Sequence, residues 1–126
     1  ALAAVERRAP LVVDAYRSRL GERLNKLLSE LGVQVQPGGI VRVVGIFAER
    51  SDVAEEIVRL KSHLEQFDTV MASDESSGRK LEFLTQEMFR ETNTIGSKAN
   101  DAEIARHVIE MKSAIERMRE MIQNVE

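Results

Sequence analysis

Apolar residues recur at steps of three and four along most of this chain, a spacing that places them on one face of an α-helix. The first such stretch covers residues 1–31, and its charged side chains fall largely on the opposite face. Gly32 is expected to end this helix, because glycine accepts the left-handed conformation found at helix ends. Pro10 is the point at which the helix could break. The apolar face comprises Val13, Tyr16, Leu20, Leu24, Leu27 and Leu31.

Residues 52–72 are predicted to form a second long helix. Asp52 and Glu55 have the spacing of a capping box, in which each side chain accepts a hydrogen bond from an otherwise unpaired backbone N–H. The segment SDESSG that follows is predicted to be a solvated loop. The apolar stripe comprises Val53, Ile57, Leu60, Leu64, Phe67 and either Val70 or Met71.

Residues 79–94 are predicted to form a third helix, which carries more polar chemistry than a packing helix needs. Glu91 continues its apolar stripe, seven residues after Leu84. Its carboxylate is therefore expected to be half buried with a partner or to face a polar cavity. The glycine-containing segment NTIGSK that follows is predicted to be a polar loop. The stripe itself comprises Leu81, Leu84, Met88 and Ile95.

Residues 40–50 are open to two interpretations. The segment is rich in β-branched residues and follows the turn signal Pro37-Gly38-Gly39, which would suit a short strand. A lone strand would have no partner in this chain, and we therefore favour a short buried helix. The residues that would share its apolar face are Ile40, Val43, Val44 and Phe47.

Residues 101–125 have the most regular pattern, with alternating steps of four and three over about three heptads, as in a coiled-coil seam. The pattern fits either a long helix inside one chain or a contact between subunits, and we favour self-association. The sequence thus predicts an all-α fold, a bundle of long amphipathic helices with a coiled-coil-like C-terminal helix. The seam comprises Ile104, Val108, Met111, Ile115, Met118, Ile122 and Val125.

Composition refines this picture. A chain of 126 residues suits one domain, and 43% apolar with only 4% aromatic residues predicts a core of aliphatic side chains. The net charge of −3 gives no global signature of nucleic-acid binding, so any RNA contact needs a local basic patch. The lack of cysteine excludes disulfides and thiolate metal sites. No apolar run is long enough to span a membrane and no signal peptide is visible, so we expect a cytoplasmic location. The chain starts in a helix and without Met, which indicates a C-terminal fragment of a larger protein.

The candidate chemistry rests on carboxylates, because the chain has no phosphate-binding glycine loop, no GxSxG and no HExxH motif. Glu87 and Glu91 are four residues apart, so their carboxylates can converge on one face of a helix. A hard cation such as Mg²⁺ or Mn²⁺ would relieve their repulsion, as would an arginine. A solvated surface pair is the commoner role of this spacing.

The two histidines are the other candidate ligands. His63 flanks the apolar face of its helix, in line with Glu56 and Arg59. A boundary histidine satisfied by one hydrogen bond is the simpler interpretation, and a metal ligand or general acid/base is the functional one. A second group with ligand spacing is interpreted as solvated surface and comprises Glu103, His107 and Glu110.

Four cations surround the candidate carboxylates. They could bind phosphates, or they could pair with the many glutamates at about 0–1 kcal/mol for each exposed pair. Phe83 and Phe89 could stack on bases, although buried packing is the expected role. The four cations are Arg79, Lys80, Arg90 and Lys98.

Three segments together resemble one known family. GRKLEFLTQEMFRETNTIGSK, the C-terminal EMKSAIERMREMIQNVE and the earlier SDVAEEIVRLKSHLEQF are similar to the C-terminal domain of the YicC/YloC family of bacterial endoribonucleases. The resemblance is strong from about residue 50 to the end and looser from about residue 13. The family's separate N-terminal domain has no counterpart in this chain, in line with the expected fragment.

This resemblance implies a metal-dependent endoribonuclease that acts on single-stranded or small regulatory RNA, with Mg²⁺ or Mn²⁺ as cofactor. It also implies a homo-oligomer, a ring-like hexamer in the full-length protein, to whose assembly the helical domain contributes. Transferred to this chain, the catalytic and metal-binding residues would be His63, Glu87 and Glu91. Glu56 and Glu110 are weaker candidates, and the four cations named above are candidates for RNA phosphates.

The chain departs from the family pattern at two positions. Phe89 stands where an asparagine is expected, and Val43 stands where a glutamate is expected. If either polar residue serves the chemistry, this member would be weaker or differently tuned. Two competing hypotheses are a helical oligomerisation module, with catalysis or RNA capture in an N-terminal domain, and an RNA-binding adaptor without chemistry.

Overall fold

The computed structural model describes residues 1–32, 37–73 and 78–125, and within these ranges it contains five α-helices and no strand. The predicted all-α fold is thus confirmed. The predicted loop SDESSG lies largely outside the described residues, as does the side chain of Val125. The helices are α1 (Leu2–Glu30), α2 (Pro37–Glu49), α3 (Ala54–Met71), α4 (Gly78–Lys98) and α5 (Ala102–Val125).

α4 lies at the centre of the fold, where it packs against α3 on one side and α5 on the other. The first half of α1 crosses α5 and α3, whereas α2 contacts only α1 among the five described helices. α4 and α5 contribute the four largest fully buried side chains, and the buried residues of α1 are limited to its first half. These four side chains are Leu84, Met88, Ile95 and Ile104.

The first helix runs through Pro10 without a break. Proline removes one backbone hydrogen bond, but buried side chains on both sides, Val5 and Val12, hold the helix against the core. The helix ends where predicted, because Gly32 has a φ of +67°, in the left-handed region.

The helix favoured for residues 40–50 is confirmed, and α2 begins three residues before it. The turn predicted at Pro37-Gly38-Gly39 is therefore wrong, because these residues form the first turn of α2. Proline suits this position, since the first N–H of a helix has no partner within it. Val44 is buried as predicted, Val43 is exposed, and the side chains of Ile40 and Phe47 lie outside the description.

The predicted loop NTIGSK is also wrong, because α4 continues to Lys98. Ile95 is fully buried in the core and holds this last stretch in helical form. Gly96 faces α5, and a Cβ built on it would lie only 3.1 Å from Val108 Cγ1. The glycine is thus explained by the close approach of two helices, which a loop interpretation does not consider.

The capping box predicted at the start of α3 is half correct. Asp52 Oδ1 accepts a hydrogen bond from the Ala54 N–H at 3.0 Å. Glu55 is exposed and instead pairs with Arg59 at 3.6 Å. The helix begins at Ala54, so Glu55 lies too early to fill the third helical position that a capping box requires.

Asp101 connects the start of α5 to α1. Its Oδ2 accepts a hydrogen bond from the Ile104 N–H at 3.1 Å, as an N-cap does. Arg8 donates two further hydrogen bonds to this carboxylate, at 3.2 and 3.3 Å. The bond from Arg8 lowers the pKa of Asp101 more than the opposing loss of solvent raises it. One side chain therefore caps a helix and fixes the crossing of two helices.

The apolar seam of α5 is buried within the chain, against α4 and α1. Its periodicity is therefore explained by packing inside one molecule, and the predicted self-association stays a prediction. On α3, Val70 continues the stripe, whereas Met71 is exposed. None of the helices in the described ranges is long and apolar enough to cross a membrane. The buried seam residues are Ile104, Val108, Met111, Ile115 and Ile122.

Candidate metal centre

The fold brings His63 of α3 together with Glu87 and Glu91 of α4. Each of the three side chains offers one ligand atom, and these atoms all lie within 4.8 Å of one another. Across residues 1–32, 37–73 and 78–125, this is the one group of three or more such side chains that could hold a metal ion. The three residues singled out from the sequence are therefore neighbours on two facing helices.

Glu91 is the most buried member of the cluster, with 7% of its surface exposed. The carboxylate is more deeply buried than the predicted half-buried state, and it has a partner, as predicted. Arg59 of α3 compensates the charge, because its Nε donates a hydrogen bond to Glu91 Oε1 at 2.8 Å. That bond is the main cause of the raised pKa of Arg59.

His63 contributes a polar atom without a partner. Its Nδ1 is buried and has no hydrogen-bond partner in the part of the chain that the structure describes. Most buried polar atoms in proteins are hydrogen-bonded, so an unpaired ring nitrogen indicates a missing ligand or water. Glu87 is half-buried beside it, and its carboxylate is 3.8 Å from Arg90.

A charged seam continues from the cluster along the interface of α3 and α4. Glu56, only 2% exposed, accepts a hydrogen bond from Lys98 Nζ at 3.0 Å and another from Arg59 Nη2 at 3.4 Å, both through Oε1. Its Oε2 is buried without a described partner. Glu56 and Glu91 are thus joined through Arg59, and we call Glu56, Arg59, Glu87, Glu91 and Lys98 the charged seam.

The cluster offers two carboxylate oxygens and one imidazole nitrogen, donors that a divalent cation accepts. Ligands lie about 2.1 Å from Mg²⁺, so two ligands of one ion are at most about 4.2 Å apart. The three ligand atoms lie within 4.8 Å of one another, so the side chains would draw together around a bound cation. Three protein ligands would leave positions for water or a phosphate oxygen.

The remaining predicted site residues lie farther from the His63–Glu87–Glu91 cluster. Arg79 and Lys80 are exposed in the first turn of α4, and Lys80 precedes Glu87 by seven residues, or about two helical turns on the same face. Glu110 lies on α5, where His107 Nδ1 is 3.6 Å from its carboxylate, and it is not a member of the cluster.

The aromatic residues and the two departures from the family pattern lie outside the cluster. Phe83 is exposed, so the expectation of buried packing is wrong for it. Phe89 packs against the core and carries Lys112 Nζ 5.6 Å above its ring. Val43 is on α2, which contacts neither α3 nor α4. Neither departure alters a ligand of the cluster.

Arg59 is the site residue whose role the sequence analysis missed. Its place in line with Glu56 and His63 was visible in the sequence, but its bond to Glu91 depends on how α3 faces α4. The available signal was a cation, Arg59, that lies three residues after the buried Glu56 and faces a second carboxylate, Glu91.

Comparison with known proteins identifies the family of this chain. The family described as "Endoribonuclease YicC-like, C-terminal" matches residues 5–126. Two relatives named "Probable endoribonuclease YicC" are 44% identical in Clostridioides difficile (strain 630) and 36% identical in Haemophilus influenzae (strain ATCC 51907 / DSM 11121 / KW20 / Rd), each over 122 residues. Each alignment covers 97% of this chain but 41% of the relative, so the chain spans less than half the length of these curated relatives. The chain belongs to the YicC-like endoribonuclease family, and its match is to the C-terminal domain of that family.

Proposed function

We propose that this chain provides the metal site of an endoribonuclease that cleaves single-stranded or small regulatory RNA. The observation that carries the proposal is the convergence of His63, Glu87 and Glu91, with a buried ring nitrogen that lacks a partner among the described residues. The names of the relatives support RNA as the substrate. The family match supports the same class of reaction.

The donor set favours Mn²⁺ over Mg²⁺. Mg²⁺ is usually held by oxygen ligands and waters, whereas an imidazole nitrogen suits transition-metal ions. Two carboxylates and one imidazole are a mixed set, which Mn²⁺ accepts. We therefore expect both ions to bind and Mn²⁺ to bind more tightly.

The side chains would share the work as follows. Glu87 and Glu91 hold the cation, and His63 either completes its ligands or transfers a proton as general acid or base. Arg59 holds Glu91 in place through its 2.8 Å bond. The bound cation would stabilise charge developing on the scissile phosphate and activate water or the 2′-hydroxyl. Arg79 and Lys80, exposed in the first turn of α4, would hold flanking phosphates.

The direct test is cleavage of labelled RNA by the full-length protein and by this chain, with Mn²⁺ or Mg²⁺ and then with EDTA. Glu87→Gln, Glu91→Gln and His63→Asn should each abolish cleavage and leave the helical content unchanged. Full activity in all three variants would overturn the assignment. Salt-dependent binding without cleavage by the wild-type protein would support the adaptor hypothesis instead.

A helical oligomerisation module is the second candidate function, and a specific observation favours it. The second half of α1, which has no buried residue, forms with α2 an arm on which five described apolar side chains are exposed. A second copy of the chain would cover this surface, and a homohexamer would be one such assembly. The exposed apolar side chains on the arm and at its turn are Leu27, Leu31, Val41, Val43 and Ile46.

Light scattering of Val41→Glu and Ile46→Glu would test the second candidate. If the arm mediates assembly, both variants should have a lower mass than the wild-type protein at the same concentration. A wild-type protein that is monomeric, or variants of unchanged mass, would remove this candidate. The result is independent of the metal site, because neither residue is on α3 or α4.

A further inference from the structure

A basic cleft lies between the second half of α1, the residues that follow α2 and the end of α4. It has a volume of about 940 Å³ and is open to solvent along one side. The described residues that line it include five cations but only one carboxylate, that of Glu22. We call these residues the basic cleft: Tyr16, Arg19, Arg23, Lys26, Arg50 and Lys98.

The concentration of cations is unusual for a chain with a net charge of −3. Arg19, Arg23 and Lys26 follow one another at steps of four and three, so they occupy one face of α1 over about 10 Å. None of these three forms an ion pair with any residue of the described ranges. Like charges at this spacing repel one another along a helix, and a bound polyanion would relieve that repulsion.

Lys98 connects the basic cleft to the charged seam. Lys98 lines the cleft and also donates its 3.0 Å bond to Glu56 in the charged seam. Lys98 follows Glu91 by seven residues on α4, which corresponds to about 10 Å along the helix axis. A chain of phosphates that lies in the cleft would therefore reach the cluster within a short span.

We propose that the basic cleft binds the phosphate backbone of single-stranded RNA and guides it toward the His63–Glu87–Glu91 cluster. Proteins that bind single strands combine a positively charged groove with aromatic rings on which bases stack, and the half-buried Tyr16 supplies such a ring here. Arg19, Arg23 and Lys26 contact successive phosphates. This inference rests on the proposed function, since it takes RNA as the substrate.

The experiment measures binding apart from cleavage. The full-length protein is titrated into a short fluorescein-labelled single-stranded RNA of mixed sequence in EDTA, at several salt concentrations from about 50 to 200 mM. The test variant is the triple Arg19→Gln, Arg23→Gln and Lys26→Gln. The control variant removes the same number of positive charges from exposed positions of α5. It is the triple Arg106→Gln, Arg117→Gln and Arg119→Gln.

A plot of log affinity against log salt concentration falls with a slope whose magnitude is roughly 0.7 for each phosphate contact on a single strand. Loss of the three contacts in the cleft variant should therefore make this slope shallower by about 2. The same change means a roughly 100-fold loss of affinity near 0.1 M salt. In cleavage assays with Mn²⁺, the variant should have a raised KM and a kcat close to that of the wild type. The α5 control should keep the wild-type slope.

Three results would overturn the proposal that the basic cleft binds RNA. They are a wild-type slope in the cleft variant, a wild-type protein that binds no RNA in EDTA, and a cleft variant whose oligomeric mass differs from that of the wild type. The last result would make the cleft a contact between copies of the chain. Failure of the proposed function gives a different pattern, because wild-type protein would bind RNA through the cleft and cleave none of it.

Discussion

Metal binding can be tested on this chain without any RNA. The double variant Glu87→Gln and Glu91→Gln keeps the size of both side chains and removes both charges. If the cluster holds a divalent cation, the wild-type chain should be stabilised by Mn²⁺, because an ion that binds only the folded state raises the free energy of unfolding. The double variant should lose that stabilisation.

The size of the effect follows from mass action. At a free metal concentration 100 times the Kd, the free energy of unfolding rises by about 2.7 kcal/mol. For a chain of 126 residues, the entropy of unfolding near 60 °C is roughly 0.26 kcal/mol/K. The melting temperature should therefore rise by about 10 °C in Mn²⁺, a shift far above the error of a thermal melt.

The assay is thermal unfolding followed by circular dichroism, with and without Mn²⁺ and with EDTA as a further arm. A matched control is available on α5, where Glu116 and Glu120 have the same spacing and are exposed, without a described histidine opposite them. The double variant Glu116→Gln and Glu120→Gln should keep the full rise in melting temperature. This control separates the cluster from a general effect of acidic pairs.

Two results would contradict the metal site. One is a wild-type chain whose melting temperature does not change in Mn²⁺, which would leave the buried carboxylates paired only with Arg59 and Lys98. The other is an equal rise in the wild type and in the Glu87/Glu91 variant, which would place the ion elsewhere. Neither result depends on the identity of the RNA substrate.

Three further predictions concern the framework around the site. Lys98→Met removes a partner from buried Glu56 and should lower the free energy of unfolding by about 1–3 kcal/mol in urea titrations, and adding Glu56→Met should restore part of the loss. Asp101→Asn should lower the free energy of unfolding above the ordinary pKa of an aspartate, about 3.9. Because the folded-state pKa of Asp101 is lowered, this difference from the wild type should shrink in urea titrations as the pH falls below that value. Gly96→Leu should cost about 1–3 kcal/mol in the same titrations by forcing α4 and α5 apart, and an unchanged midpoint would contradict this close approach.

The sequence was sufficient to predict the helices that bury one long apolar face. The steps of three and four on α3 and α5 report directly which side chains face the core, so both helices were predicted within about two residues. Glu91 was placed correctly for the same reason, because a carboxylate on an apolar stripe has to be buried. What failed were local signals that tertiary contacts override, such as the Pro37-Gly38-Gly39 turn and the loop that contains Gly96.

The site was only partly predictable for a related reason. Spacing along α4 brings Glu87 and Glu91 together, but the register of α3 against α4 decides whether His63 or Arg59 faces them, and no periodicity reports that register. The basic cleft was still harder to predict. Arg19 and Lys98 are far apart in the sequence, and they line the same cleft only because α1 crosses the bundle. Local patterns predict which face of a helix is buried, and they do not predict which polar faces meet.

The charge of the seam connects the proposed metal site to the proposed binding of RNA. Within the charged seam, three carboxylates face two cations, Arg59 and Lys98, and Arg90 lies 3.8 Å from Glu87. Without metal the seam is therefore close to neutral and does not attract a phosphate. One divalent cation would make the seam positive, and a phosphate delivered by the proposed basic cleft would then be attracted to the cluster. The Glu87/Glu91 variant removes two of the three negative charges without supplying a metal ligand. It should therefore bind RNA in EDTA at least as tightly as the wild type while it fails to cleave, a combination that simple loss of folding cannot produce.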